Sequence, residues 1–264
     1  GLAVAKGDYL IFLNSDLKLN PKCIGELANL LESDSSIGGA IPKILHIDQQ
    51  NTINSLGVLI NYTGIAYPNL LGQKDPGYQE PFESACGGIF MLKRDVFKTV
   101  GGFDEDLFLY HEDHDFSWRI RLAGWRLKVA PQAIMYHNYN FNKGVLKYYS
   151  SEKNRLHILL KNMEIKTLAL ISPALIVIEF CQWFHAVIHK WFFLKIKSYI
   201  EIIKIFPRIL IKRKKLKRLR KVSDKEITRV YQGTLTISGT NNPLLTYLVS
   251  PALNIYWKII HHLI

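Results

Sequence analysis

Tyr9 to Leu13 is an unbroken run of apolar and aromatic side chains that stops at once on Asn14, Ser15 and Asp16. A short apolar run with polar flanks is the mark of a strand buried in a sheet. The same kind of run returns in "AIPKIL" (40–45), "GGIFMLKR" (87–94) and "WRLKVAPQAIMYH" (125–137), the last long enough for one strand or two. Helix patterns lie between these runs. Asn20-Pro21 offers a cap and a first helical residue, and Ile24, Leu27, Leu30 and Leu31 recur at helical spacing, which predicts a helix over 21–32. Gly38-Gly39 predicts a turn. "RDVFKTV" predicts a short helix closed by Gly101-Gly102. Residues 112–123 predict another, with Glu112, Asp113 and Asp115 in its first turn, where the dipole favours acids, and Gly124 at its stop. Residues 46–83, rich in Gly, Asn, Pro and Asp, read as short strands and loops. Strands alternating with helices confine such a chain to an α/β fold with helices on the faces of a sheet.

The character changes after about Asn138. "KYYSSEKNRLHILLKNM" reads as helix. Thr167 to His189 is a largely apolar run, broken only by Glu179 and holding Pro173. As a helix it would be roughly 35 Å long, enough to cross a bilayer. Trp183, Trp191, Phe192 and Phe193 gather at its end. Ile196, Ile200, Ile203 and Phe206 then share one helical face, with Lys197, Glu201 and Lys204 opposite, and "KRKKLKRLRK" follows. The net charge of +12 belongs to this segment. Residues 1–194 hold 19 basic and 19 acidic residues, whereas 195–221 hold 12 basic residues against Glu201 alone. A polybasic block beside Trp, Phe and Ile predicts contact with anionic lipid over Thr167–Lys221 and argues against a nucleic-acid partner, which would not need the apolar neighbours. Cys23, Cys86 and Cys181 lie far apart, which excludes a disulfide framework and a metal-spaced pair and suits a reducing, cytosolic setting.

Several residues carry chemistry. Asn14-Ser15-Asp16 places two oxygen-bearing side chains at a strand's carboxyl end, where open α/β sheets bind ligands. It is a candidate Mg²⁺ or Mn²⁺ site, and it also reads as an Asx turn. Glu112-Asp113 is a candidate general base, because neighbouring carboxylates raise one another's pKa; ordinary acidic helix starts look similar. His137 ends a strand, as ligand or structural residue. Gly87-Gly88 forms a tight turn or lets a backbone approach a substrate.

Taken in order, "AKGDYLIFLNSDLKLNP", "ESACGGIFMLKRDVFKTVGGFDEDLFLYHEDHDFSWRIRLAGWRLKVAPQAIMYH" and "YYSSEKN" resemble the family 2 glycosyltransferases of the GT-A fold, specifically their rhamnosyltransferase-like members, over residues 1–163. The resemblance implies a Rossmann-like mixed sheet and an inverting, metal-dependent transfer of a sugar, rhamnose among the candidates, from a nucleotide-sugar donor to a lipid-linked or cell-surface glycan acceptor. Asp16, with Asn14 and His137, would hold Mg²⁺ or Mn²⁺. Asp113 would be the base, beside Glu112. Gly87, Gly88, Ser15 and Arg119 would face donor or acceptor, Arg119 with a structural or anion-pairing role as its other reading.

The family's first strand, turn and helix, which bind the nucleotide, have no counterpart before Tyr9, so the resemblance implies an N-terminally truncated domain whose early sheet has an unpaired, exposed edge. A Lys153-Asn154 pair stands where the family often has Arg-Asn. The expectation is therefore a partial GT-A domain over 1–163 and a helical, membrane-associating region over 164–264, at the cytoplasmic face of the cell membrane, peripheral or spanning once. An inactive remnant, or a subunit that needs a partner, is the alternative.

Overall fold

The computed structural model describes residues 4–137, 144–235 and 243–264. The first half is an α/β layer structure. Its main sheet runs β1 (Tyr9–Phe12), β8 (Phe90–Lys93), β3 (Ile37–His46), β9 (Arg126–His137), β2 (Leu17–Leu19), with β4 (Ile53–Ser55) added to β3 and β7 (Phe82–Glu83) to β9. β5 (Val58–Ile60) and β6 (Ala66–Pro68) form a separate hairpin. The β3–β9 pair is parallel and the other pairs are antiparallel, so the sheet is mixed, with β1 at its edge as expected. "WRLKVAPQAIMYH" is one strand, irregular where Pro42–Lys43 pairs with it.

Period-two alternation divides the strands between two cores. Leu10, Ile41, Leu45, Phe90 and Leu92 face α2 (Arg94–Val100) and α3 (Glu112–Leu122), meeting Val96, Phe116 and Ile120. Ala40, Ile44 and Met91 face α1 (Cys23–Ser33), meeting Leu27, Leu30 and Leu31. α1 begins two residues later than the sequence pattern implies: the Asn20 side chain accepts from the Lys22 amide in a turn before the helix and caps nothing. Gly38-Gly39 is not a turn. Both glycines lie inside β3, where a Cβ on Gly38 would sit 2.7 Å from Trp125 and one on Gly39 would collide with Leu127, so absence of side chains lets neighbouring layers close. Gly101 (φ +77°) and Gly124 (φ +89°) do end α2 and α3 as expected.

The second half is helical: α4 (Val145–Asn162), α5 (Ile165–Ile188), α6 (Phe192–Leu219), α7 (Asp224–Thr228), a π-helical turn at Leu245–Val249 and α8 (Ser250–His261). The chain leaves helix at Met163, between α4 and α5, and the core runs across that break. Ile60, Tyr62, Trp118 and Leu122 pack in one cluster with Ile171, Ile178, Leu253 and Trp257. The amphipathic stretch and most of the polybasic block form one continuous α6, and the block is tied to the rest of the protein. Lys212 pairs with Asp106 at 2.6 Å and with Asp104, Arg213 donates to the Leu160 carbonyl, and Arg220 pairs with Asp224 at 2.7 Å. Glu179, the one acid in the apolar run, turns inward to Lys195 (2.8 Å), Arg155 and Tyr199.

Candidate active site

β1 ends at Phe12, and the chain leaves the sheet through Leu13 and Asn14. These residues form one wall of a cleft of about 500 Å³. Gly88 and the 103–108 loop form another, and Glu112 and Asp113, at the start of α3, form the floor. Four residues picked from the sequence, Asn14, Gly88, Glu112 and Asp113, therefore meet in one cavity.

Asp113 holds a perturbed carboxyl. Burial, and next the charge of Glu112, push its carboxyl up to about 7, while the amides of His114 (2.7 Å from Oδ1) and Gly88 hold the ionised form and keep the rise from going further. Burial also raises Glu112, whose Oε2 is buried without a hydrogen-bond partner and can receive a ligand hydroxyl. Gly88 has φ +68° and open space where a Cβ would be, so backbone conformation demands glycine there. At Gly87 the demand is space: a Cβ would lie 2.6 Å from Val58.

Backbone strain marks the same spot. Tyr110 and His111, immediately before Glu112, have φ of +67° and +65°. Non-glycine residues in the left-handed region persist only where their surroundings hold them. The holder is Asn154 on α4, 1% exposed, whose Nδ2 donates to the carbonyls of Leu109 (2.8 Å) and Tyr110 (2.6 Å). Lys153 beside it donates to the Asp106 carbonyl at 2.9 Å. The sequence reading noted "KN" only as a departure from a motif; an amide that clasps a loop more than 40 residues away leaves no local pattern to find.

Beneath the cleft, Lys161 bridges Asp104 (2.5 Å) and Asp115 (2.7 Å). Burial opposes ionisation of both, but Lys161, joined by Lys212 at Asp104 and by Arg119 at Asp115, holds Asp104 at about 2 and Asp115 well below the usual carboxylate range. Arg119 is part of this foundation and not of the cleft lining. Its Nε pairs with Asp115 at 2.9 Å and its Nη1 donates to the Val100 carbonyl, the structural one of its two readings. Burial pushes His111 down to about 4 and His114 to about 3, so both imidazoles are neutral, and His114 bonds the Tyr231 hydroxyl at 2.8 Å.

The other expected ligands lie beside the cleft. Asp16 and Ser15 are exposed in the turn before β2, and His137 ends β9 opposite Leu17. Asp16 Oδ2 stands 3.1 Å from His137 Nε2. Among the described residues no three His, Cys, Asp or Glu side chains form a cation cage. The exposed Asp16 carboxylate suits a hard cation such as Mg²⁺ or Mn²⁺, which takes oxygen ligands and keeps several waters; the His137 ring nitrogen is a softer donor beside it.

Comparison with known proteins shows what the chain is similar to. Residues 1–101 match the family model described as glycosyl transferase family 2, and residues 70–142 the one described as the N-terminal domain of galactosyltransferase. The O-antigen biosynthesis protein RfbC of Myxococcus xanthus is 26% identical over 144 residues, 51% of this chain and 11% of that protein. Rhamnosyltransferase WbbL of Escherichia coli K12 is 29% identical over 145 residues, 52% of this chain and 55% of that protein. N-acetylglucosaminyl-diphospho-decaprenol L-rhamnosyltransferase of Mycobacterium tuberculosis is 37% identical over 60 residues, 23% of this chain and 20% of that protein. The matches thus span from about a tenth to just over half of these relatives' lengths. Over residues 1–142 the chain is thus similar to family 2 glycosyltransferases, rhamnosyltransferases among them.

Proposed function

We propose that this protein transfers a sugar, with inversion, from a nucleotide-sugar donor to a hydroxyl of a lipid-linked or cell-surface glycan precursor. The observation that carries the reading is Asp113: a carboxyl on the floor of a cleft, raised by burial and by Glu112, next to a buried Glu112 oxygen that lacks a partner. Asp113 takes the proton from the acceptor hydroxyl. The acceptor oxygen forms its bond to the anomeric carbon as the bond to the diphosphate breaks on the opposite face. One attack with no covalent enzyme intermediate gives inversion. Glu112 orients a substrate hydroxyl, and the Gly88 amide keeps Asp113 aimed. Asp16 and His137, with Asn14 nearby, would hold Mg²⁺ or Mn²⁺, which when bound stabilises charge on the departing diphosphate.

Rhamnose and a diphospho-lipid acceptor are supported by the names of the relatives, one of which glycosylates a decaprenol-linked sugar. A lipid-linked acceptor calls for a place at the membrane, and we assign the cytoplasmic face. α5 supports this as a helix long and apolar enough to meet a bilayer, with mean hydropathy 1.7 and 22% burial over its most apolar window. The test is transfer by Asp113→Asn. Loss of transfer by at least a thousandfold with metal-dependent donor binding retained supports the reading, and equal transfer by the variant sinks it. A wild-type protein that shows no saturable donor binding would favour an inactive remnant.

A further inference from the structure

We propose that α5 lies in the plane of one leaflet, pressed against the protein on its inner side, and does not cross the membrane; this rests on the membrane-face reading above. Three observations carry it. The first is that α5 has two unlike sides. Ile171, Ala174 and Ile178 are buried in the protein core, while Ile176, Phe180, Phe184 and Val187 point outward at 57–72% exposure. From Ser172 to Ile188 no exposed residue is charged. A spanning helix meets lipid around much of its circumference, whereas an interfacial helix shows one apolar face.

The second is the clasp at Glu179. It lies past the middle of α5, where a spanning helix would carry it into hydrocarbon, a costly place for a carboxylate. Here it is paired with Lys195 and Arg155, which are themselves almost wholly buried and also share Glu152. Standing α5 on end would pull Glu179 away and leave two buried cations with one carboxylate between them. The cost of unpairing buried charge holds the helix flat.

The third is charge complementarity. Along 165–219 the exposed charges are all basic, among them Lys197, Lys204, Lys214, Lys215 and Arg218. Neither acid of this stretch is exposed: Glu179 faces inward and Glu201 pairs with Lys204 at 3.0 Å. An exposed apolar helix followed in the chain by exposed Lys and Arg matches the chemistry of an anionic leaflet. α8 packs beside α5 on the same core, with the Tyr256 hydroxyl bonded to the Leu170 carbonyl, and it too exposes apolar side chains, Ile255 and Ile259.

The chain carries its own probe. Cys181 is exposed on α5, whereas Cys23 and Cys86 are buried. A polarity-sensitive fluorophore on Cys181 of the whole protein is read after mixing with phosphatidylglycerol vesicles and with phosphatidylcholine vesicles, each carrying quenchers near the headgroups or at the chain ends. The expected result is co-sedimentation with the anionic vesicles only, a blue shift, and stronger quenching near the headgroups. Phe180→Ser with Phe184→Ser, both exposed and so harmless to folding, should weaken vesicle binding at least tenfold. Strongest quenching from the chain ends overturns the in-plane arrangement while leaving the membrane reading intact. Absence of anionic vesicle binding overturns both, and sugar transfer to a soluble acceptor would still be scored separately.

Discussion

Asn154→Ala should slow transfer without weakening donor binding. The amide makes two hydrogen bonds, at 2.8 and 2.6 Å, to the loop that presents Glu112 and Asp113. Each contributes ~1 kcal/mol net, so about 2 kcal/mol holds the loop. Against this, Tyr110 and His111 in the left-handed region cost on the order of 1 kcal/mol each. The two terms are close in size, so removing the amide lets the turn relax to ordinary φ values and swings Asp113 off its aim. Reaching the working geometry then costs about 2 kcal/mol, which is roughly a 30-fold fall in kcat. The donor KM should hardly change, because Asn154 itself lies outside the cleft lining. The assay is steady-state transfer with donor varied, on the single variant and on Asn154→Ala combined with Tyr110→Gly. Glycine takes positive φ without penalty, so the second change should recover part of kcat. A wild-type kcat in the single variant, or a loss that the glycine leaves untouched, would refute the clasp.

The foundation beneath the cleft makes two further predictions. Lys161→Met strands carboxylates of Asp104 and Asp115 that are 6% exposed or less and should lower stability by ~3 kcal/mol, read by urea denaturation; a change under ~1 kcal/mol would show that Lys212, Arg119 and Asn162 suffice. Asp104, depressed to about 2 in the fold, lends stability that is complete above the ordinary aspartate pKa and fades as pH falls from about 4 toward 2. Melting curves across that range should show the loss, and Asp104→Asn should flatten it.

How much of this was legible in the sequence follows from how local each signal is. The strand at Tyr9–Phe12, the helix at Glu112 and its glycine stop rest on neighbours in the chain, and the structure keeps them nearly residue for residue. Gly38-Gly39 misled because a turn glycine and a close-packing glycine look alike until Trp125 and Leu127 are placed. Glu112, Asp113 and Asn14, which share the cleft, were visible as short local motifs. Asn154 was not, since its importance comes from a loop distant in sequence. The 167–189 run had the length and hydropathy of a span, and only its packing in the structure, with Ile171, Ala174, Ile178 and Glu179 turned inward, shows which of its sides faces the core. Charge counting likewise found the basic segment but not that Lys212, Arg213 and Arg220 fold back onto the domain.

The central claim is that Asp113 is the base, poised by burial and by Glu112. The most direct measurement is the pH dependence of kcat/KM for transfer. The base must be ionised, so the rate should climb with pH to a plateau, with the acid limb centred near the value of about 7 that the cleft imposes on Asp113. Glu112→Gln should move that limb to lower pH. A rate that stays flat across neutral pH, or an acid limb near the ordinary aspartate value, would contradict the account.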